Sequence, residues 1–506
     1  SELPMLSYFA VGVLTCVLSF ILIAMKWRAD PVFIALIALS KRGPTRHPIF
    51  GTLFQREPGG GQLGPGHQGY LWFKATSQRL RRLFPIFFGP FRGVAVCCNA
   101  DEAQISLQKE PKNDLVYAKL HSWMGRGLLT NNGDDWKRKR RMLTPAFHFD
   151  VLRHYAPIFW KNTMMLADQW ATQLQKGDDT VDIQNDMTLV SLDNIGECAF
   201  GIYFGAVSNQ GSDFVEATLG AAEAFNLRFY NPLYESDLLF RLSPAGQRFT
   251  CHVGVLQEYA RQTIEARKQS VGDAKDKTQF FIDILLTTTD EEGHHLSMQE
   301  ILDEVNTFMF EGHDTTSSGL MWTIYNIATH PKVQDKLLAE IDQELSDIGG
   351  PPSYDDFQTK FKYLDLVLSE SHRVYAPVPG IGRILTKDTD MGSGNNLPAG
   401  TNIFISPFMI HHNPDIWENP DLFDPDRFLP ENSKSRHPYA YVPFSAGPRN
   451  CIGRKFALTE EKAVLTALYS RFTLQHVGAP IRPTAEMVLR NEGPLNFRLI
   501  PRRKHT

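Results

Sequence analysis

Phe444-Ser445-Ala446-Gly447-Pro448-Arg449-Asn450-Cys451-Ile452-Gly453 places one cysteine in a turn-rich loop, between a proline-bounded apolar segment and a helix-like one. Beyond Gly453, the residues Phe456, Ala457, Leu458, Val464, Leu465, Leu468, Tyr469 and Phe472 step by three, four and seven, forming one apolar stripe of an α-helix. Cys451 is therefore expected just ahead of a helix N-terminus, where backbone N–H groups and the helix dipole favour a thiolate. A lone cysteine is more often a buried structural residue than a ligand. Here the neighbours are small enough for a flat group to approach and no second cysteine is near, which suits an axial ligand to haem iron.

A second stretch has the same character. Ser297-Met298-Gln299-Glu300 is a capping box that opens a helix running to about His330, where Pro331 stops it. At ~1.5 Å per residue such a helix crosses a whole domain. Its middle, Glu311-Gly312-His313-Asp314-Thr315-Thr316-Ser317-Ser318-Gly319, is polar, yet Phe308–Phe310 before it and Leu320–Trp322 after it argue for burial. Such a patch invites a kink or a water-filled groove. Glu311 lies four residues before Thr315 and shares its helix face.

The 506 residues are 42% hydrophobic and 21% charged, a globular composition with room for a large core. The net charge of −4 gives no global case for nucleic-acid binding. Six cysteines match neither a disulfide framework nor a zinc spacing. Leu6–Met25 is an uncharged run of twenty residues, enough to span a bilayer as a helix. Glu2 precedes it and Lys26 and Arg28 follow it, so the positive-inside rule puts the body in the cytosol. The shorter apolar run Val32–Leu39 suggests an interfacial segment. The expected organisation is an anchor over residues 1–28, a proline-containing hinge over 29–55 and one catalytic domain over 56–506. Gly59, Gly61 and Gly64 satisfy a dinucleotide-binding pattern, but Pro65-Gly66 stands where a helix should begin, so a flexible loop is expected. Most of the rest is helical in pattern, with β-like pieces at Gly93–Cys98, Arg383–Thr386 and Asn402–Ile405.

The cysteine loop resembles the haem-thiolate signature of the cytochrome P-450 superfamily at each fixed position, Phe444, Gly447, Arg449, Cys451 and Gly453. The polar helix centre resembles its oxygen-activation motif, and Phe308–Thr316 is similar throughout to family 4. The resemblance implies a mainly α fold with a minor β region, a triangular prism, plus an N-terminal transmembrane helix. It implies haem b held by Cys451, with Asp314 and Thr315 managing protons. In family 4 the glutamate at the Glu311 position forms an ester with a haem methyl; a hydrogen-bonded, protonated acid is the alternative. Trp136 and Arg140, at i and i+4, resemble the propionate-binding pair, and Arg383 and Arg449 are the other matching positions. Glu370, Arg373 and Arg427 resemble the structural network under the haem. Lys137, Lys139 and Arg141 suggest a basic patch for an acidic electron donor. Arg126, Arg228 and Arg241 are conceivable substrate-carboxylate partners. His411-His412 looks structural, since adjacent residues on an extended segment point opposite ways.

With no internal flavin motif, the resemblance implies NADPH–cytochrome P-450 reductase as partner, with cytochrome b5 as a second donor, at the endoplasmic reticulum membrane. The implied reaction inserts one atom of dioxygen into a C–H bond of a small hydrophobic substrate, with ω-hydroxylation of fatty acids or eicosanoids leading. Xenobiotic or sterol oxidation, a haem-thiolate isomerase or dehydratase, and a haem sensor stay open.

Overall fold

The computed structural model describes residues 30–502, apart from 45, 48–50, 54, 58–60, 90–91, 210–212, 272–279 and 393. The anchor expected over Leu6–Met25 lies outside the described residues, and among those described no helix is long and apolar enough to cross a membrane.

Seven helices position the site: α1 (Pro31–Leu39), α2 (Gly133–Leu143), α3 (Ile183–Ile195), α4 (Asp213–Tyr230), α5 (Met298–Thr329), α6 (Lys362–Val374) and α7 (Arg454–Tyr469). The strands that matter are β1 (Phe84–Phe88), β2 (Arg92–Cys97), β3 (Ile381–Ile384), β4 (Asn402–Ile405), β5 (Pro483–Ala485) and β6 (Leu489–Asn491). A four-stranded sheet runs in the order β1-β2-β4-β3, with β2 and β4 parallel (Ala95 opposite Ile403) and both outer pairs antiparallel. β5 and β6 form a hairpin.

α5 is the central element. The Ser297 hydroxyl accepts from Glu300 N and the Glu300 carboxylate accepts from Ser297 N, so both orphan donors are satisfied at the predicted start. The expected kink does not interrupt it: α-helix is continuous from Met298 to Thr329. Thr315 and Thr316 instead donate to the carbonyls of Glu311 and Gly312 at 2.7 and 3.0 Å, which satisfies the polar patch locally. Gly312 lets α3 come close, since a Cβ there would lie 2.6 Å from Ile195. Deep in the helical core Trp322 stacks on Tyr375 with centroids 4.3 Å apart.

Three local expectations are sharpened or changed. The run Val32–Leu39 is a helix that packs through one face and leaves Ile34 exposed on the other. Asp30 caps it by accepting from Val32 N and Phe33 N, and Phe33, Leu36 and Leu39 are buried over the sheet, with Phe33 edge-on to Phe87. A helix does begin at Gly66, because Gly69 allows the turn to close against the Gly64 carbonyl, which a Cβ would meet at 2.0 Å. Strand β3 ends at Ile384, two residues before the expected limit; Thr386 N donates to Glu110 Oε2 at 2.8 Å and so leaves the ladder.

Candidate active site

Between the middle of α5 and the cysteine loop lies a cavity of about 350 Å³. Its walls are mainly apolar, with Phe308, Ile195, Ile381, Phe404 and Phe456 among them. Cys451 opens onto it. The loop is held by Cys451 N donating to Phe444 O at 2.9 Å and by a tight turn at Gly447. Gly447 needs its left-handed φ of 71°, and a Cβ there would meet the Leu107 carbonyl at 2.3 Å. Gly453 caps α7, and a side chain there would lie 3.9 Å from Cys451 Sγ. Phe444, also on the cavity wall, packs edge-on against His372.

The helix N-terminus does not by itself secure the thiolate. Burial first, and then the charge of Glu311, push the Cys451 thiol up to about 11. A backbone N–H bond at Gly453 and the cations Arg140 and Lys112 oppose the shift. A coordinated metal ion removes such a proton outright, so the thiolate expected from sequence belongs to the metal-bound state.

α5 contributes Glu311, Gly312, Thr315 and Thr316 to the same wall. Asp314 is turned the other way. It is 1% exposed, does not line the cavity, and forms an ion pair with Arg490 on β6. Burial raises the Glu311 carboxyl, while Lys112, Arg140 and Arg449 pull it back towards the anion.

These cations form the second feature of the site. Arg140 on α2 holds the cysteine loop by donating to Asn450 O and Oδ1 at 2.9 and 3.0 Å. Arg449 donates to Asn131 O at 2.8 Å and lies 4.1 Å over the Trp136 ring. Arg383 on β3 is fully buried; Nη1 donates to Gly382 O, whereas Nε and Nη2 make no hydrogen bond. The nearby Tyr117 hydroxyl favours the charged form of Arg383 without satisfying those two donors. Lys112, which the sequence reading did not single out, joins them, and burial together with Arg449 and Arg383 drives its ammonium well below the usual range. Arg449 is likewise lowered to about 9, by burial and then by Arg383. Three guanidinium groups and the Lys112 amine thus converge on an apolar cavity, with Glu311 the carboxyl acting among them. The unfilled donors and the excess positive charge call for an anionic ligand, and the two propionates of a haem held by Cys451 would fit that demand.

Elsewhere the predicted residues sort by contact. Arg373 binds Glu370 through two bonds of 2.7 Å and donates to the carbonyls of His411, Pro420 and Leu422. Arg427 Nε lies 3.4 Å from Glu370 Oε1. Lys139 does not belong to a surface patch: it is 1% exposed and donates to Arg126 O, because it occupies the inward face of α2. Lys137 and Arg141 are exposed and pair with Asp134 and Glu291. Arg126, Arg228 and Arg241 are absent from the cavity wall; Arg228 is paired with Asp237.

The family description Cytochrome P-450 matches residues 42–499. The chain belongs to the cytochrome P-450 family. The mouse protein leukotriene-B4 omega-hydroxylase 3 is 37% identical over 458 residues, covering 87% of each chain. Human cytochrome P-450 4F2 is 36% identical over 460 residues, covering 86% of this chain and 88% of the relative. Among solved structures, the haem domain of cytochrome P-450DA superposes with a TM-score of 0.78 at 25% identity, covering 91% of this chain and 98% of that one. The protein is accordingly a haem-b monooxygenase of this fold that takes electrons from a redox partner and acts with dioxygen on a hydrophobic substrate.

Proposed function

We propose that this P-450 hydroxylates fatty chains, fatty acids or eicosanoids, at or near the terminal carbon. The observation that carries this is that Cys451 and Thr315 line one largely apolar cavity, in a chain similar to a leukotriene-B4 omega-hydroxylase. When bound, haem ligated by a thiolate supplies the dioxygen activation and C–H oxidation. The protein's part is to hold and to exclude. Cys451 ligates the iron; Trp136, Arg140, Arg383 and Arg449, with Lys112, hold the propionates; the aromatic wall keeps water from the reacting chain. Thr315 Oγ1 hands a proton into the cavity. Asp314 resupplies it when its pair with Arg490 opens.

Glu311 forms an ester with a haem methyl in this reading. Glu311, on the cavity wall, would be the residue so linked, with the oxidising power supplied by the activated dioxygen of the enzyme's own reaction. Acid–organic extraction tests it: the linkage fails if all the haem leaves the protein.

The N-terminal residues 1–28 anchor the chain in the endoplasmic reticulum membrane with its body in the cytosol, and 29–55 lead into the catalytic unit from 56 onward. The charge-free Leu6–Met25 supports this, as does an exposed apolar cluster at Leu233, Leu238, Leu239 and Leu242. NADPH–cytochrome P-450 reductase, with cytochrome b5, supplies electrons.

The deciding experiment is turnover of a fatty-acid and eicosanoid panel with reductase and NADPH, reading the hydroxylated carbon by mass spectrometry. Terminal alcohols are expected. Turnover of sterols or foreign compounds with no lipid product would sink the assignment.

A further inference from the structure

One side of the cavity is closed by two layers. The inner layer is aromatic: Phe88 at the end of β1 stands edge-on to Phe229 of α4 with centroids 4.9 Å apart, and both line the cavity with Tyr230. Beside it, and absent from the cavity wall, is an ionic layer. Arg92 stands opposite Phe88 in the β1–β2 register, so the two side chains share a face of the sheet. Lys119 lies between Tyr117 and Leu120, which line the same cavity. Glu235, from the turn Pro232–Glu235 that follows α4, pairs through Oε2 with Arg92 Nη1 and, at 2.9 Å, with Lys119 Nζ. The cations are inside and the acid is outside: the side chains of Lys119 and Arg92 are 7% and 20% exposed, that of Glu235 47%. Arg92 Nη2 donates to Leu115 O at 3.3 Å, and its buried Nε has no hydrogen-bond partner. Arg228, the next cation, is paired with Asp237. Burial first, and then Arg92 and Arg228, lower the Lys119 ammonium to about 7, so the group gains from any further anion.

We propose that Arg92 and Lys119 are the head-group site for the carboxylate of a long-chain acid, and that Glu235 is a latch that occupies this site in the resting protein. The inference rests on the terminal-hydroxylation reading and adds where the far end of the substrate is held. Moving Glu235 away by itself strands two largely buried cations, so this side of the cavity stays shut. An incoming carboxylate takes over both ion pairs, and its second oxygen accepts from Arg92 Nε, the donor that Glu235 leaves unfilled. The exchange frees the turn that carries Glu235. The chain then passes between Phe88 and Phe229, with its hydrocarbon end towards Cys451. An alcohol of the same length brings no charge to the exchange. It enters only by stranding the cations until Glu235 closes behind it.

The test uses the full-length holoenzyme with dodecanoic acid and dodecanol, which share one chain length. Dissociation constants and entry rates come from the substrate-induced spin-state change, and products are located by mass spectrometry. Glu235→Gln removes the competing anion, so it should tighten the acid about threefold and speed the entry of both ligands. The affinity of the alcohol should stay unmoved. On that background, adding Arg92→Gln or Lys119→Gln removes a charge-assisted bond that nothing replaces. Each should weaken the acid about tenfold and leave the alcohol within about twofold, which also shows that the cavity has kept its fold. An acid affinity and entry rates that Glu235→Gln leaves unmoved overturn the latch. Equal losses for acid and alcohol when either cation is removed overturn the head-group site. Variants that move the acid as expected, with oxidation only at internal carbons, would keep the site and sink terminal hydroxylation. Terminal products from an acid whose affinity ignores all three side chains would do the reverse.

Discussion

Two buried charge clusters flank the cysteine loop, and they differ in whether they are closed. Around Glu370, both carboxylate oxygens bind Arg373, Asp424 N adds a bond of 2.9 Å, and the remaining Arg373 donors end on backbone carbonyls. Around the cavity, Arg383 keeps two orphan donors, Lys112 and Arg449 crowd towards it, and Glu311 and the Cys451 sulfur act as counter-charges within the group. A closed network fixes a loop. An open one is strained until a ligand arrives, and so it marks a binding site.

The largest expected effect is at the sulfur between them. Cys451→Ser should reduce monooxygenase turnover below detection and remove the thiolate-type carbon monoxide spectrum. Retention of that spectrum would mean another ligand holds the iron. Next comes the closed cluster. Arg373→Met leaves Glu370 fully buried without its partner, which should cost about 3–5 kcal/mol in chemical denaturation. The double variant Glu370→Leu with Arg373→Met should cost less than the single one, since the buried pair is then removed together and only the partly exposed Arg427 loses a counter-charge. A double variant as unstable as the single would mean packing, not charge, dominates.

The open cluster should respond with the opposite sign in the haem-free protein. Arg383→Met removes a crowded cation, so the apoprotein should keep or gain stability. Haem retention should suffer by the ~1.5–3 kcal/mol of a charge-assisted bond, or about 10- to 100-fold in dissociation constant. Transfer of haem to an acceptor protein measures it. Loss of apoprotein stability without faster haem transfer would place Arg383 among the structural residues.

The sequence exposed this contrast unevenly. The cysteine loop and the span of α5 were legible because local chemistry writes them: Gly447 for a forced turn, Ser297 with Glu300 for a cap, Pro331 for a stop. What faces a residue across the fold was not legible. Asp314 carries the motif, yet its carboxylate meets Arg490, supplied by a hairpin more than a hundred residues onward. Lys112 comes from far upstream with no local pattern to single it out. Lys139 reads as one more charge in a basic run, and its inward direction follows from how α2 packs beside Glu304.

The same helix gives the smallest expected effect. With Lys139 buried, Lys137 and Arg141 remain as the outward cations of the run, one turn apart on α2, whose Arg140 grips the cysteine loop. Each is already paired with an exposed carboxylate, so neither presents a full free charge to a partner. Exposed pairs of this kind contribute little to stability, and Lys137→Ala with Arg141→Ala should leave the denaturation curve unmoved. If the patch guides an acidic reductase, the double variant should raise the apparent KM for reductase about two- to threefold at low salt, with kcat unchanged. The difference should fade as salt rises and the Debye length falls below ~8 Å. A KM indifferent to both the substitutions and the salt would move the electron donor to another face. A fall in kcat would show instead that α2 acts through Arg140 and its grip on the loop.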